Sequence, residues 1–196
     1  HRLLAKISTL SEADLGAAID GLIKAELVYR RGVPPDATYL FKHALVRDAA
    51  YESLLRERRR ANHARILEIH QASKDIPPEV LAQHAEGAGM TPLAIDLWEA
   101  ASKVAIRRPA FDEAISQLER AIALISPSVE GGDRAVLERA LNLQMQLGVA
   151  LFQQRGYGAD ETKAAYQYAL ALANRIGETP LRYGVQYGLW VGCYLR

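Results

Sequence analysis

Hydrophobic positions recur along most of this chain at the three-to-four-residue spacing of helices that bury one face. Leu15, Ala18, Ile19, Leu22 and Ile23 form the first such stripe. Ser11 stands before it and can cap a first turn that carries Asp14, so a helix is predicted over about residues 12–25. The period then changes. Residues 27–31 and 38–41 have strand composition, and the Gly32-Val33-Pro34-Pro35-Asp36 stretch between them must turn because its prolines exclude helix. Helix, strand, turn, strand reads as the second half of a winged helix. Its hairpin wing needs the helices on either side, since a lone hairpin is marginal.

From His43 the strand signals stop. Ala44, Leu45, Ala49, Leu54 and Leu55 predict one helix, and Ala64, Ile66, Leu67 and Ile69 another. Pro77 and Pro78 suit the entry of a helix holding Val80, Leu81 and His84, which Gly87 and Gly89 end. Thr91-Pro92 opens a helix with the buried stripe Leu93, Ala94, Leu97, Trp98, Ala101, Val104 and Ala105, closed by Arg107-Arg108-Pro109. Its partner is predicted over residues 110–125, stopped at Ser126-Pro127. Long helices follow over about 134–154 and 161–176, the second capped by Asp160 and ended by Gly177. A last helix starts at Thr179-Pro180.

Small residues at fixed offsets run through these paired helices. Trp98, Ala101, Ser102 and Ala105 are answered by Ala114, Leu118 and Ala121. Leu147-Gly148 with Ala164, Tyr168 and Ala171 repeats part of the series, and Tyr187-Gly188 begins it again. Such a pattern predicts antiparallel helix pairs of the tetratricopeptide kind stacked into a superhelix. The separation of fifty residues between Ala114 and Ala164 exceeds the usual period of about 34, so the array is degenerate. An ordinary bundle with coincident alanines is the alternative.

In that geometry the first helix of each pair lines a concave groove. Asp96, Glu99 and Lys103, then Asn142, Met145, Val149 and Phe152, then Arg182, Val185 and Leu189 are the predicted protein-binding residues, changing from charged to apolar along the array. The competing reading has Val149, Phe152 and Leu189 covered by a further repeat.

Composition adds bounds. With 49% apolar and 24% charged residues, 196 residues suffice for one large domain or two small ones. The chain opens on His1, so a piece of a longer protein is expected, and no apolar run is long enough to span a membrane. One cysteine, Cys193, excludes an internal disulfide and fits a reducing cytoplasm. The net charge of +1 hides an asymmetry: residues 1–65 hold 12 Lys+Arg against 8 Asp+Glu, and the remainder holds 12 against 15. Arg56, Arg58, Arg59 and Arg60 concentrate the positive end and predict an interdomain or phosphate contact, or a solvated face.

The run Tyr39-Leu40-Phe41-Lys42-His43-Ala44-Leu45-Val46-Arg47-Asp48-Ala49-Ala50-Tyr51-Glu52-Ser53-Leu54-Leu55 resembles a segment of the STAND-type, MalT-like bacterial AAA ATPases. Many of these carry a class III adenylate/guanylate cyclase domain; others carry a kinase or a LuxR-type DNA-binding domain. Arg58-Arg59-Arg60 with His63, and Tyr187-Gly188-Leu189-Trp190 with Arg196, resemble later stretches of the same family. The resemblance implies an order of output domain, ATPase core, winged helix and repeats, of which the last two are here. It implies the end of a winged helix over 1–42, linking helices over 43–90 and repeats over 91–196, the last truncated. It also implies ATP as a ligand of the upstream domain of the parent and not of this chain.

Chemistry is sparse. The chain has no Gly-x-x-x-x-Gly-Lys-Ser/Thr phosphate loop and no cyclase aspartate pair that can be placed, so neither ATP hydrolysis nor cyclic-nucleotide synthesis is expected. His63 and His70 are seven apart with no cysteine beside them, which argues against a metal. His43 is expected to be a buried, hydrogen-bonded core residue. The function expected is a non-catalytic regulatory arm without cofactor or metal. It would bind a protein partner or the upstream ATPase domain, or sense a small inducer. The alternative is a DNA-binding winged helix, disfavoured because the helix over 12–25 sets Glu12, Asp14 and Asp20 against Lys24 alone.

Overall fold

The computed structural model describes residues 1–71 and 76–194. The chain is mainly helical with one two-stranded antiparallel sheet, and it divides into two bodies. The first is His1–Ile76 with Gly87–Gly89, and the second is Pro77–Glu86 with Met90 onward.

The first body contains α1 (Arg2–Ile7), α2 (Glu12–Lys24), β1 (Val28–Arg31), β2 (Thr38–Phe41), α3 (Ala44–Glu52) and α4 (Arg56–Gln71). Ser11 caps α2 as its position requires: its Oγ accepts from the Asp14 amide at 3.2 Å and donates to the Asp14 carboxylate at 2.6 Å. Ser11→Ala should lower the stability of this body by about 1 kcal/mol, read by urea denaturation. Only Leu15 and Ile19 of the expected stripe are buried. The strands pair Val28 with Phe41 and Arg31 with Thr38, so the turn falls where the prolines put it. Helix α1 escapes sequence reading because it is six residues long, has no side-chain cap and buries nothing. It packs against α4, and its start is tied to the hairpin: the Arg2 amide donates to the Pro35 carbonyl, and His1 Nδ1 lies 2.8 Å from the Tyr39 hydroxyl. His43 is exposed, against the expectation of a core residue. It occupies the N-cap position of α3, where the extended backbone turns its side chain to solvent.

The second body is built from α5 (Pro78–Ala88, whose last residues belong with the first body), α6 (Thr91–Arg107), α7 (Phe111–Val129), α8 (Arg134–Arg155), α9 (Asp160–Ile176) and α10 (Arg182–Tyr194). From α6 on, each helix packs against the next in sequence, as short connections require. The first small-residue series is buried throughout: Trp98, Ala101, Ser102 and Ala105 on α6 face Ala114, Leu118 and Ala121 on α7. Helix α8 is apolar on more than one side because α7 and α9 both pack on it. Its buried Gln144 is satisfied by donating to the Ala165 carbonyl at 3.3 Å.

Several boundaries differ from expectation. Helix α7 runs past Ser126-Pro127 to Val129. In a last turn the missing proline N–H removes one bond, and burial of Ile125 and Val129 outweighs it. Asp160 lies in the first turn of α9 and is not its cap, which is Ala159. Helix α10 starts at Arg182, two residues beyond Pro180, because the Thr179 carbonyl and hydroxyl first close a turn onto Arg182 and Leu181.

The largest correction concerns register on α9. Ala164, Tyr168 and Ala171 are exposed. The buried stripe is one residue on: Ala165, Tyr166, Ala169, Leu172 and Ala173. The Tyr166 ring fills the space beside Gly148 on α8 and Gly188 on α10. A β-carbon would stand 3.1 Å from its ring at Gly148 and 2.4 Å at Gly188. The recurring glycines thus pack close helices as anticipated, but around a different tyrosine.

Candidate protein-binding face

On α8, Arg139, Asn142, Gln146 and Val149 fall on one face at helical spacing, beside α6. Asp96 and Glu99 of α6 meet it. The Arg139 guanidinium lies 2.6 Å from Asp96 and 2.7 Å from Glu99, and Gln146 donates to Glu99 at 3.0 Å. Lys103 adds an i,i+4 pair to Glu99 at 2.6 Å. The charged residues predicted at Asp96, Glu99 and Lys103 are therefore brought together. The two residues that tie them across helices, Arg139 and Gln146, were not singled out from sequence, although they lie three residues before and four after Asn142.

Glu99 is the most perturbed acid of this group. Burial pushes its pKa up, but hydrogen bonds from Lys103 and Gln146 and the charges of Arg139 and Lys103 outweigh that and hold it below the ordinary glutamate value. A depressed folded pKa contributes stability above the unfolded value, about 4.3, and that stability is lost as pH falls through the folded pKa. Glu99→Gln should flatten that part of the acid limb of a thermal-stability profile below about pH 4.3.

The apolar end of the predicted groove is largely consumed by packing. Val185 is fully buried at 0% exposure, a correction to its placement on the groove, because α10 turns that side onto α9. Met145 is half-buried, its Cε 3.3 Å from where a β-carbon on Gly184 would stand. Arg182 is half-buried. It donates to the Gly177 carbonyl at 3.2 Å and to Asn174 Oδ1 at 3.0 Å, closing the C-terminal end of α9. Phe152 is half-buried and stacks on Tyr157 at 3.8 Å, and Leu189 is half-buried. Val149 and Asn142 stay exposed. Among the described residues, the exposed aromatics of α10 are Tyr183, Tyr187 and Trp190, spaced along one side with ring centroids about 6.5 and 6.3 Å apart. Arg196, part of the resemblance at this end, lies outside the described residues.

Two open clefts flank this region. One, of about 690 Å³, is walled by Pro92, Ile95, Leu124 and Val136, with Asp96 and Arg139 at its edge. The other, of about 670 Å³, is lined by Glu79, Gln83, Trp98, Asp112, Gln117 and Arg120.

In the first body, Arg56, Arg58 and Arg60 are exposed and Arg59 is half-buried, its guanidinium 5.2 Å from the Tyr51 ring. Tyr51 also hydrogen-bonds His63 Nε2 at 2.9 Å, and burial holds the His63 pKa below its usual value. The four arginines make no ion pair among the described residues. Among those residues no group of three or more His, Cys, Asp or Glu is placed to hold a metal ion, and no helix is long and apolar enough to cross a membrane.

No family model matches the chain, and no solved structure matches it. It is similar to an uncharacterized protein of Rhizobium meliloti (strain 1021), 29% identical over 195 residues. That match covers 96% of this chain and 19% of the relative, so the chain spans about a fifth of the length of the protein it resembles.

Proposed function

We propose that this chain is a non-catalytic, protein-binding regulatory arm of a larger cytoplasmic signalling ATPase of the STAND type, with a cyclase or another output domain elsewhere in the parent. Residues 91–196 act as a tetratricopeptide-like scaffold or sensor, and residues 1–42 end a winged helix. The observation that carries this reading is the shared face of α6 and α8. There Asp96, Glu99, Arg139 and Gln146 form a cross-helix ladder that runs toward exposed Val149. A rigid polar face with an apolar end suits recognition of a protein surface. The similar protein, some five times longer, supports a role as one part of a larger whole. ATP belongs to the parent's upstream domain, and this arm takes no cofactor.

The test is site-specific photo-crosslinking in cells from Val149, with Glu119 on α7 as the control position. A discrete protein adduct from Val149 that Arg139→Glu abolishes supports the reading. Equal adducts from both positions, or adducts to DNA, overturn it, as does nucleotide turnover by the isolated chain.

A further inference from the structure

Between Ala37 and Leu67, each 2% exposed, no residue of the chain is buried. This stretch is not polar. It contains Tyr39, Leu40, Phe41, Leu45, Val46, Tyr51, Leu54 and Leu55, with Leu45 82% and Leu55 78% exposed. Scattered apolar residues on a surface are ordinary, but α3, which like the shorter α1 buries no residue, and the connection after it expose Leu45 and Leu55 almost fully. Nine residues are too few for a helix to be stable through propensity alone. Helix α3 is held to α4 by Tyr51, which bonds His63 and lies under Arg59. Leu45 on α3 and Leu55, between α3 and α4, are left largely open to solvent.

The charges around them set the partner. Residues 38–66 carry seven Lys+Arg against three Asp+Glu. Lys42 and Arg47 are paired, with Glu26 and Asp48. Arg56, Arg58, Arg60 and Arg65 are exposed and make no ion pair among the described residues. We propose that residues 38–60 form a docking element for a second protein surface, apolar at its centre and acidic at its rim. This surface lies in the first body and goes beyond the α6–α8 face.

Charge complementarity decides between occupants. Nucleic acid would engage the arginines through phosphates but leave Leu45 and Leu55 in water. An anionic lipid surface would accept the leucines, but it is continuous and of one sign, so it would also press on Asp48 and Glu52, which share a helical side with Leu45, whereas a bounded protein surface can set its acids opposite the arginines alone. A protein surface can pair both signs and cover the leucines together.

The probe is a synthetic amphipathic helical peptide of Leu, Ala and Glu, with binding followed by fluorescence anisotropy. Comparators are the same peptide with Lys for Glu, polyglutamate, a DNA duplex and phosphatidylserine vesicles. The Leu/Glu peptide should bind, weaken with added salt, and protect residues 38–60 from hydrogen exchange. Arg58→Glu with Arg60→Glu, and separately Leu45→Ser with Leu55→Ser, should each weaken it by about tenfold or more. All four side chains are exposed, so circular dichroism should stay unchanged. Absent binding, equal binding of the Lys peptide or polyglutamate, or wild-type affinity in both variants overturns the proposal. Tighter binding to DNA or vesicles, or self-association through this segment, overturns it as well.

Discussion

Tyr166→Ala should destabilise the second body by about 3–5 kcal/mol in chemical denaturation. The ring is 4% exposed on α9 and is the only large side chain described against both Gly148 and Gly188. Removing it leaves a void that neither glycine can fill, so α8, α9 and α10 lose a shared contact. The converse change is Gly188→Ala. Helix propensity favours alanine by about 1 kcal/mol. The new β-carbon would nevertheless stand 2.4 Å from Tyr166 Cε1, and overpacking of this kind costs about 1–3 kcal/mol. A net loss is expected, and a smaller one for Gly148→Ala, where the ring is 3.1 Å away. In the Tyr166→Ala background the sign should reverse, because the methyl then enters vacant space. A double-mutant cycle showing simple additivity would contradict this packing. Tyr166 also carries a pH signature. Burial, with the nearby Tyr157 adding to it, pushes its phenol up to about 12. A raised folded pKa gives stability that is complete below the unfolded value near 10 and lost as pH rises toward 12. Tyr166→Phe should remove that alkaline loss.

Trp98→Ala is the second large effect, about 3–5 kcal/mol on the α6–α7 pair. Trp98 is 3% exposed, and its indole N–H donates to Glu86 Oε2 at 3.0 Å. The Arg120 guanidinium lies 5.1 Å from the ring and 3.9 Å from Glu86, so one side chain joins α5, α6 and α7. Trp98→Phe keeps most of the apolar volume and deletes the hydrogen bond to a carboxylate, for an expected cost of about 1.5–3 kcal/mol. The other tryptophan, Trp190, is exposed on α10. Trp190→Phe therefore leaves Trp98 as the sole tryptophan, and its emission on selective excitation should shift to the red only on unfolding of this helix pair.

Much of the helical layout is legible in the sequence for physical reasons. Ser11, Pro78 and Pro92 sit at helix starts, and Gly156 and Gly177 end helices with φ of 83° and 86°, angles that carry little strain in glycine. The stripe from Trp98 to Ala121 admits one inward face, and that face is buried. Legibility fails where two stripes compete. Ala164, Ala165, Ala169, Ala171 and Ala173 supply alternative small faces on α9, and Tyr166 and Tyr168 alternative aromatics. One residue is a rotation of about 100°, so the choice between them decides which tyrosine is core.

Beyond α1, the sequence by itself determined the order of helices and hairpin, most of the breaks between them and the small-residue faces of α6 and α7, because caps, prolines, glycines and periodicity act within a few residues. Only the tertiary structure decided which tyrosine enters the Gly148–Gly188 notch, that Val185 and Arg182 serve packing and helix closure, and that Arg139 joins Asp96 to Glu99. Those outcomes depend on surfaces brought together from distant parts of the chain, where the neighbouring helix determines which of two equally apolar faces is covered.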